Sequence, residues 1–188
     1  MSQPDPVVDA PSGDAAAIGA ADGASRALSR TGVLPSQALR ALIAAGEVGG
    51  AAPIEEAQIQ PASLDLRLGE VAYRIRASFL PGTKATVRDK LEGLTFHEID
   101  LTKGAVLEAG CVYLVPLMER LSLPDTISAV ANAKSSTGRL DLLTRTITDE
   151  GTEFDRVRPG YTGPLYAEIC PRSFSVLVRP GMRLNQIR

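Results

Sequence analysis

The sequence predicts a mainly β fold, a distorted barrel or jelly-roll-like sandwich with one or two short helices. Two observations carry that expectation. Short apolar runs recur with turn signals about every eight to twelve residues. Seventeen Gly and thirteen Pro, with no Trp, fit many turns and short elements better than a helical bundle.

A chain of 188 residues fits one domain, or one domain with a tail. Residues 1–30 read as the tail and residues 31–188 as the β domain. From Met1 to Ser25 the chain is rich in Ala, Gly, Ser, Pro and Asp, without a Lys or Arg. Such a segment has too little bulky apolar surface to offset the entropy of ordering, and is expected to be disordered. Ala15–Ala21 lacks the basic region that would precede a signal core. No run approaches the roughly 20 apolar residues of a spanning helix, so a soluble protein is expected. A net charge of -2 gives no electrostatic case for nucleic acid or an anionic membrane as partner. Cys111 and Cys170 are far apart in apolar surroundings and read as reduced thiols of a cytoplasmic protein.

Each element has its own signal. Leu39, Leu42 and Ile43 follow Pro35-Ser36 at helical spacing and stop at Gly46, which predicts a short amphipathic helix with Ser36 near its N-cap. Leu64, Leu66 and Leu68 then alternate with Asp65 and Arg67, the period of a half-buried strand. Val71–Phe79 reads as a second strand before the Pro81-Gly82 turn. Short strands are expected near Ala85–Val87 and Phe96–Leu101. Cys111–Leu117, Leu121–Leu123 and Ile127–Ala133 follow as apolar runs, with a second helix near Ser136–Leu143. Thr144–Asp155 is polar and reads as an excursion. Leu165–Ile169 is a strand, and Phe174–Val178 with Met182–Ile187 forms a hairpin around Arg179-Pro180-Gly181. That last strand runs to Arg188 without a cap, which suggests the first part of something longer.

Several chemistries lack their residues. His97 is the single histidine and the cysteines are not closely spaced, so neither a zinc site nor a Ser-His-Asp triad assembles readily; His97 reads as a surface or satisfied histidine. Phosphate-binding loops of the Gly-x-x-x-x-Gly-Lys-Ser and Gly-x-Gly-x-x-Gly kinds are absent. Metal-free acid–base chemistry or simple binding remains. Glu168 interrupts Leu165, Tyr166, Ala167 and Ile169 just after a Pro-Gly turn; it is either on a solvated strand face or functional. Lys134-Ser135-Ser136-Thr137-Gly138-Arg139 concentrates two cations and three hydroxyls in six residues, suited to a phosphate chain or simply a solvated loop.

Five stretches in order carry a resemblance: Gln60–Gly69, Leu121–Asp125, Lys134–Arg139, Pro159–Glu168 and Arg179–Met182. Together they resemble the dCTP deaminase family, relatives of trimeric dUTPases, over roughly residues 33 to 188. The resemblance implies a dUTPase-like fold, a homotrimer or a multiple of it, and active sites shared between subunits. It implies hydrolytic deamination of dCTP to dUTP and ammonia, with no catalytic zinc and with Mg2+ accompanying the nucleotide triphosphate. Glu168 would be the general acid/base, a role that favours a buried carboxylate with a raised pKa. Arg139 would help fix that carboxylate and Ser135 would help hold the attacking water. Lys134 and Ser136 would face the phosphates, with Ser135 also counted among the nucleotide-binding residues; Arg156 near the base pocket and Tyr161 on the turn beside it would bind the nucleotide as well.

The chain departs from the family pattern at four places. Lys134 stands where an arginine is usual, which keeps the charge and loses the bidentate fork. Arg158 stands where an aspartate usually contacts the sugar, which argues against a dUTPase-like pyrophosphatase. The segment between Arg139 and Arg156 is longer than usual, and the phosphate-covering C-terminal tail is missing. The last two resemble the first repeat of a longer, two-repeat branch, in which this half is either catalytic or a non-catalytic, nucleotide-binding scaffold.

Overall fold

β-Strands dominate residues 32–188, the part of the chain that the computed structural model describes; the tail expected at 1–30 lies outside the described residues. In chain order the elements begin with α1 (Ser36–Ala44), β1 (Val48–Gly50), a 3-10 turn (Glu56–Gln58), β2 (Ile59–Gln60), β3 (Ser63–Arg67) and β4 (Val71–Ile75). Then come α2 (Val87–Leu94), β5 (Thr95–Asp100), β6 (Ala105–Leu107), β7 (Val112–Ser122), β8 (Ala129–Ala133) and α3 (Ser135–Arg139). The chain closes with β9 (Leu142–Thr148), β10 (Arg156–Val157), β11 (Thr162–Pro171), β12 (Val176–Val178) and β13 (Arg183–Ile187).

The larger sheet runs β5-β4-β7-β11-β9, with β1 added to β7, and the second runs β10-β8-β13-β3-β2. β12 and β6 form a separate pair. The sheets stay open, so the fold is mainly β as expected but is not a closed barrel. Among the described residues no helix is long and apolar enough to cross a membrane.

Among the described residues three α-helices stand where one or two were expected. The unexpected one is α2, in a region that read as irregular with a strand near Ala85–Val87. Thr86 accepts from the Asp89 N–H while Asp89 accepts from the Thr86 N–H, a reciprocal cap that fixes the first turn. Val87 and Leu91, four residues apart, then bury one face against Ile75, Leu114 and Ile147. α1 begins at Ser36 itself, with Pro35 at the cap position.

A second correction concerns Thr144–Asp155. Its first five residues belong to β9, where Thr144, Thr146 and Thr148 are buried and Arg145 points to the other face. Threonine is polar by composition but β-branched by shape, so an alternating Thr row fits a pleated sheet. Only residues 149–155 form the excursion. Similarly, β4 ends at Ile75 rather than reaching Phe79.

Two apolar clusters cover opposite faces of the larger sheet. Leu165, Ala167 and Ile169 of β11 join the principal core with Leu66, Val115, Leu117 and Tyr161. Tyr166 packs instead with the cluster under α2, beside Leu114 and Ile147. β11 is hydrogen-bonded to β7 on one edge and to β9 on the other. Its residues from Ala167 to Pro171 are all buried.

β3 was expected to be half-buried, yet Asp65 and Arg67 are buried with its leucines. Each charge has a partner. Arg67 Nε donates to Glu119 Oε1 at 2.8 Å, and the Arg67 N–H donates to Glu119 Oε2 at 2.7 Å. Gln58 Nε2 joins the same carboxylate at 2.8 Å and also donates to the Asp65 carbonyl. This network ties the second sheet to β7 and is tolerated because the carboxylate is saturated with donors. Glu119→Ala leaves Arg67 without its principal buried partner and is expected to cost about 3–5 kcal/mol in urea unfolding. Arg40→Ala, which breaks an exposed pair with Glu56, should cost no more than about 1 kcal/mol in the same measurement.

Candidate active site

The Pro-Gly turn before β11 is built by two of the five sequence stretches acting together. The Leu123 N–H donates to the Tyr161 carbonyl at 2.9 Å, and the Gly160 N–H donates to the Pro124 carbonyl at 3.1 Å. Gly160 has φ +68°, and a Cβ there would collide with the Asp125 carboxylate. A Cβ on Gly163 would lie 2.6 Å from the Tyr161 hydroxyl. The two glycines let the turn close onto Leu121–Asp125.

Tyr161 is 1% exposed, and its hydroxyl is used twice inside the chain. It donates to the Pro164 carbonyl at 2.6 Å and accepts from the Asp149 N–H at 3.1 Å. Burial pushes the phenol well above its usual range. Within this chain Tyr161 therefore supports the turn, with its side chain enclosed.

Glu168 is 2% exposed, which removes the solvated-face alternative. It lies directly opposite Arg145 in the β9–β11 register. Arg145 Nε and Nη2 both donate to Glu168 Oε1, at 3.0 and 2.5 Å. Glu168 Oε2 is buried without a hydrogen-bond partner. One oxygen is thus doubly held, while the other receives no donor from the described protein groups.

The sequence alone does not mark Arg145, because its segment is polar and reads as an excursion although it belongs to β9. Its Nη2 also donates to Ser78 Oγ at 2.9 Å, and its guanidinium carbon stands 3.8 Å from the centre of the Phe154 ring. Asp155 completes the neighbourhood, in a left-handed conformation with φ +62°. It accepts from the Thr146 N–H at 2.7 Å. Burial raises its pKa; the Thr146 N–H and Arg145 act the other way, and Glu168 adds to the rise.

The other three stretches form a second grouping. The Lys134 N–H and Thr137 Oγ1 both donate to the Leu184 carbonyl, at 2.9 and 3.0 Å, and so dock α3 on β13. The Lys134 ammonium pairs with Asp65 of β3, whose other carboxylate oxygen is buried and unpartnered. Ser135, Ser136 and Arg139 are exposed. Among the described residues no hydrogen bond or ion pair joins any of these three to Glu168.

Arg156 and Arg158 line an open cleft of about 510 Å³, with Thr148, Glu150, Glu153 and Pro159. Arg156 faces Glu153 at 3.6 Å. Arg158 Nη2 pairs with Glu150 Oε2 at 2.6 Å, and Glu150 itself has φ +54°. Glu168 is not part of the cleft wall. His97 is exposed, and both cysteines are free thiols, Cys111 half-buried and Cys170 buried. Among the described residues no three His, Cys, Asp or Glu side chains gather as a metal site would require.

Residues 30–188 match the family described as the 2′-deoxycytidine 5′-triphosphate deaminase (DCD) N-terminal domain. The chain is similar to the "dCTP deaminase, dUMP-forming" of Beutenbergia cavernae, with 30% identity over 82% of this chain and 77% of the relative. The protein of the same name from Coprothermobacter proteolyticus is 33% identical over 72% of this chain and 69% of its own length. Among solved structures, the 2′-deoxycytidine 5′-triphosphate deaminase from Agrobacterium tumefaciens superposes with a TM-score of 0.82 at 59% identity. That match covers 85% of this chain but 48% of the solved one, so the chain spans about half the length of that structure.

Asp155 gives the site a pH signature. A carboxyl whose folded pKa is raised makes the native state bind protons more tightly than the unfolded chain, so its contribution is favourable at low pH and is lost as pH rises through the folded pKa. Asn keeps the acceptor for the Thr146 N–H and tolerates the left-handed backbone. Asp155→Asn is therefore expected to gain stability relative to wild type between pH 4 and pH 7, measured by urea unfolding at both. An unchanged difference between the two proteins across that window would contradict the assignment.

Proposed function

We propose that this chain, which belongs to the 2′-deoxycytidine 5′-triphosphate deaminase family, takes part in hydrolytic deamination of dCTP to dUTP and ammonia in nucleotide metabolism. The observation that carries the reading is Glu168, buried in a central strand with Oε1 held by Arg145 and Oε2 unpartnered. A buried carboxylate oxygen that receives no donor from the protein is placed to accept one from a water or a substrate.

The chemistry needs one group that both accepts and returns protons. Glu168 Oε2 takes a proton from water as the water oxygen bonds to C4 of cytosine, and that proton passes to N3. The hydroxyl of the resulting tetrahedral carbon then yields its proton through the same carboxyl to the amine. The C4–N bond breaks, ammonia leaves and C4 becomes the carbonyl of uracil. No metal is needed in that sequence; Mg2+ would come as part of the triphosphate substrate.

Phosphate recognition falls to Lys134, Ser135 and Ser136, with Arg156 near the base. Ser135 and Arg139 are exposed and make no bond to Glu168 in their own chain, which supports completion of each site by a second copy in a homotrimer or a multiple of it. A cytoplasmic location fits the two free thiols. A second reading comes from the names of the relatives: a dUMP-forming enzyme would also release diphosphate. Arg158, standing where an aspartate is usual, weighs against that further step.

Incubation of the full-length protein with dCTP and Mg2+, following ammonia, dUTP, dUMP and diphosphate, tests both readings. Wild type is expected to release ammonia and dUTP in equal amounts, with Glu168→Gln slowed by about 10²–10⁴-fold. Equal activity in Glu168→Gln would remove Glu168 from the mechanism, and dUMP with diphosphate from dCTP would establish the second reading. No ammonia from wild type would leave the chain as a nucleotide-binding scaffold.

A further inference from the structure

We propose that Arg145 is the positioning residue for Glu168, and that the excursion at residues 149–155 serves this contact by placing Phe154 against its guanidinium. The inference rests on Glu168 being the acid/base.

Three features of the contact go beyond a generic ion pair. First, both donors converge on one oxygen: Nε and Nη2 reach Oε1 at 3.0 and 2.5 Å, and Oε2 is left without a partner. A fork-to-fork pair would occupy both oxygens. The observed pair instead fixes the carboxyl plane and leaves one defined oxygen for proton transfer. Second, the strand backbones allow little latitude, because Arg145 and Glu168 are register partners between paired strands and Glu168 is also opposite Leu114 of β7. Third, the guanidinium is seated by groups from two connecting segments. Ser78 follows β4 and accepts from Nη2 at 2.9 Å, while Phe154 lies 3.8 Å beneath the guanidinium carbon.

The side chains differ in exposure, 30% for Arg145 against 2% for Glu168, so the pair meets solvent through the arginine. The other ionisable groups near it are Asp155 and Cys170, each within electrostatic reach of both Glu168 and Arg145. A lysine supplies charge at that place but not the planar arrangement of two donors to Oε1, a third contact to Ser78 and a flat face on Phe154. The extra length between Arg139 and Arg156 thus acquires a purpose: it carries the aromatic surface on which the positioning group rests.

The test uses the full-length protein with dCTP and Mg2+, after Glu168→Gln has been shown to lose activity. Arg145→Ala is expected to lower kcat by about 100-fold with little change in KM, the effect of a displaced catalytic group rather than of lost substrate binding. Arg145→Lys should recover only a small part of kcat, and Phe154→Ala should lower kcat by about tenfold. Guanidinium ion at non-denaturing concentration should raise the kcat of Arg145→Ala and leave Glu168→Gln unchanged.

Wild-type kcat in Arg145→Lys, or in a folded Arg145→Ala, would overturn the proposal while leaving Glu168 in its role. So would a folded Arg145→Ala whose kcat fails to respond to guanidinium, since that marks a purely structural contact. If Arg145→Ala does not fold, the Lys and Phe154 variants decide: wild-type kcat in either overturns the inference, and a fall in kcat at constant KM in both supports it. An active Glu168→Gln removes the underlying reading instead.

Discussion

The structure turns on β11, a strand with neighbours on both edges and apolar clusters against both faces. Its ladder to β7 and its ladder to β9 fix the backbone of Glu168 before any side-chain interaction is considered. Leu165, Ala167 and Ile169 face the principal core, and Tyr166 faces the cluster beneath α2. A carboxylate in that setting is held away from bulk water, 2% exposed. What is left to determine is which group meets it, and the β9 register supplies Arg145. The strand pairing thus creates the electrostatic requirement and the answer to it together.

The same logic governs the other buried charges. β3 would be a poor central strand if Asp65 and Arg67 were unpaired, since each would carry a desolvation penalty of several kcal/mol. Glu119 meets Arg67, and Lys134 meets Asp65. In the second pairing, the ammonium expected to face phosphates is held by a carboxylate that is 1% exposed.

The sequence was most legible where period and turn chemistry agreed. The alternation through Leu64, Leu66 and Leu68 found β3, and the Pro-Gly turn found the start of β11. The resemblance joined five stretches by order, but order does not say which of them touch. In space, Leu121–Asp125 closes on the Pro159–Gly163 turn, while β3, α3 and β13 form a separate group. Two elements were obscured for physical reasons. The Thr row of β9 looks polar although each branched side chain fits a covered sheet, and with β9 hidden its Arg145 was hidden too. α2 was obscured because eight residues give little periodicity, although Thr86 and Asp89 are spaced as a capping box.

Arg158 shows how a departure from a family pattern can be absorbed by nearby backbone. An arginine at the mouth of a cleft, beside Arg156, would ordinarily leave two like charges facing the same space. Instead Glu150 pairs with Arg158 and Glu153 faces Arg156. Glu150 achieves this from φ +54°, a conformation that non-glycine residues rarely adopt and that the surrounding contacts must hold. Its N–H donates to the Ala85 carbonyl at 3.0 Å, which ties the excursion to the segment that opens α2. The cleft therefore carries a carboxylate beside Arg158, supplied by the excursion rather than by the turn. The excursion consequently serves both groupings, with Glu150 paired to the cleft arginine and Phe154 against the guanidinium that holds Glu168.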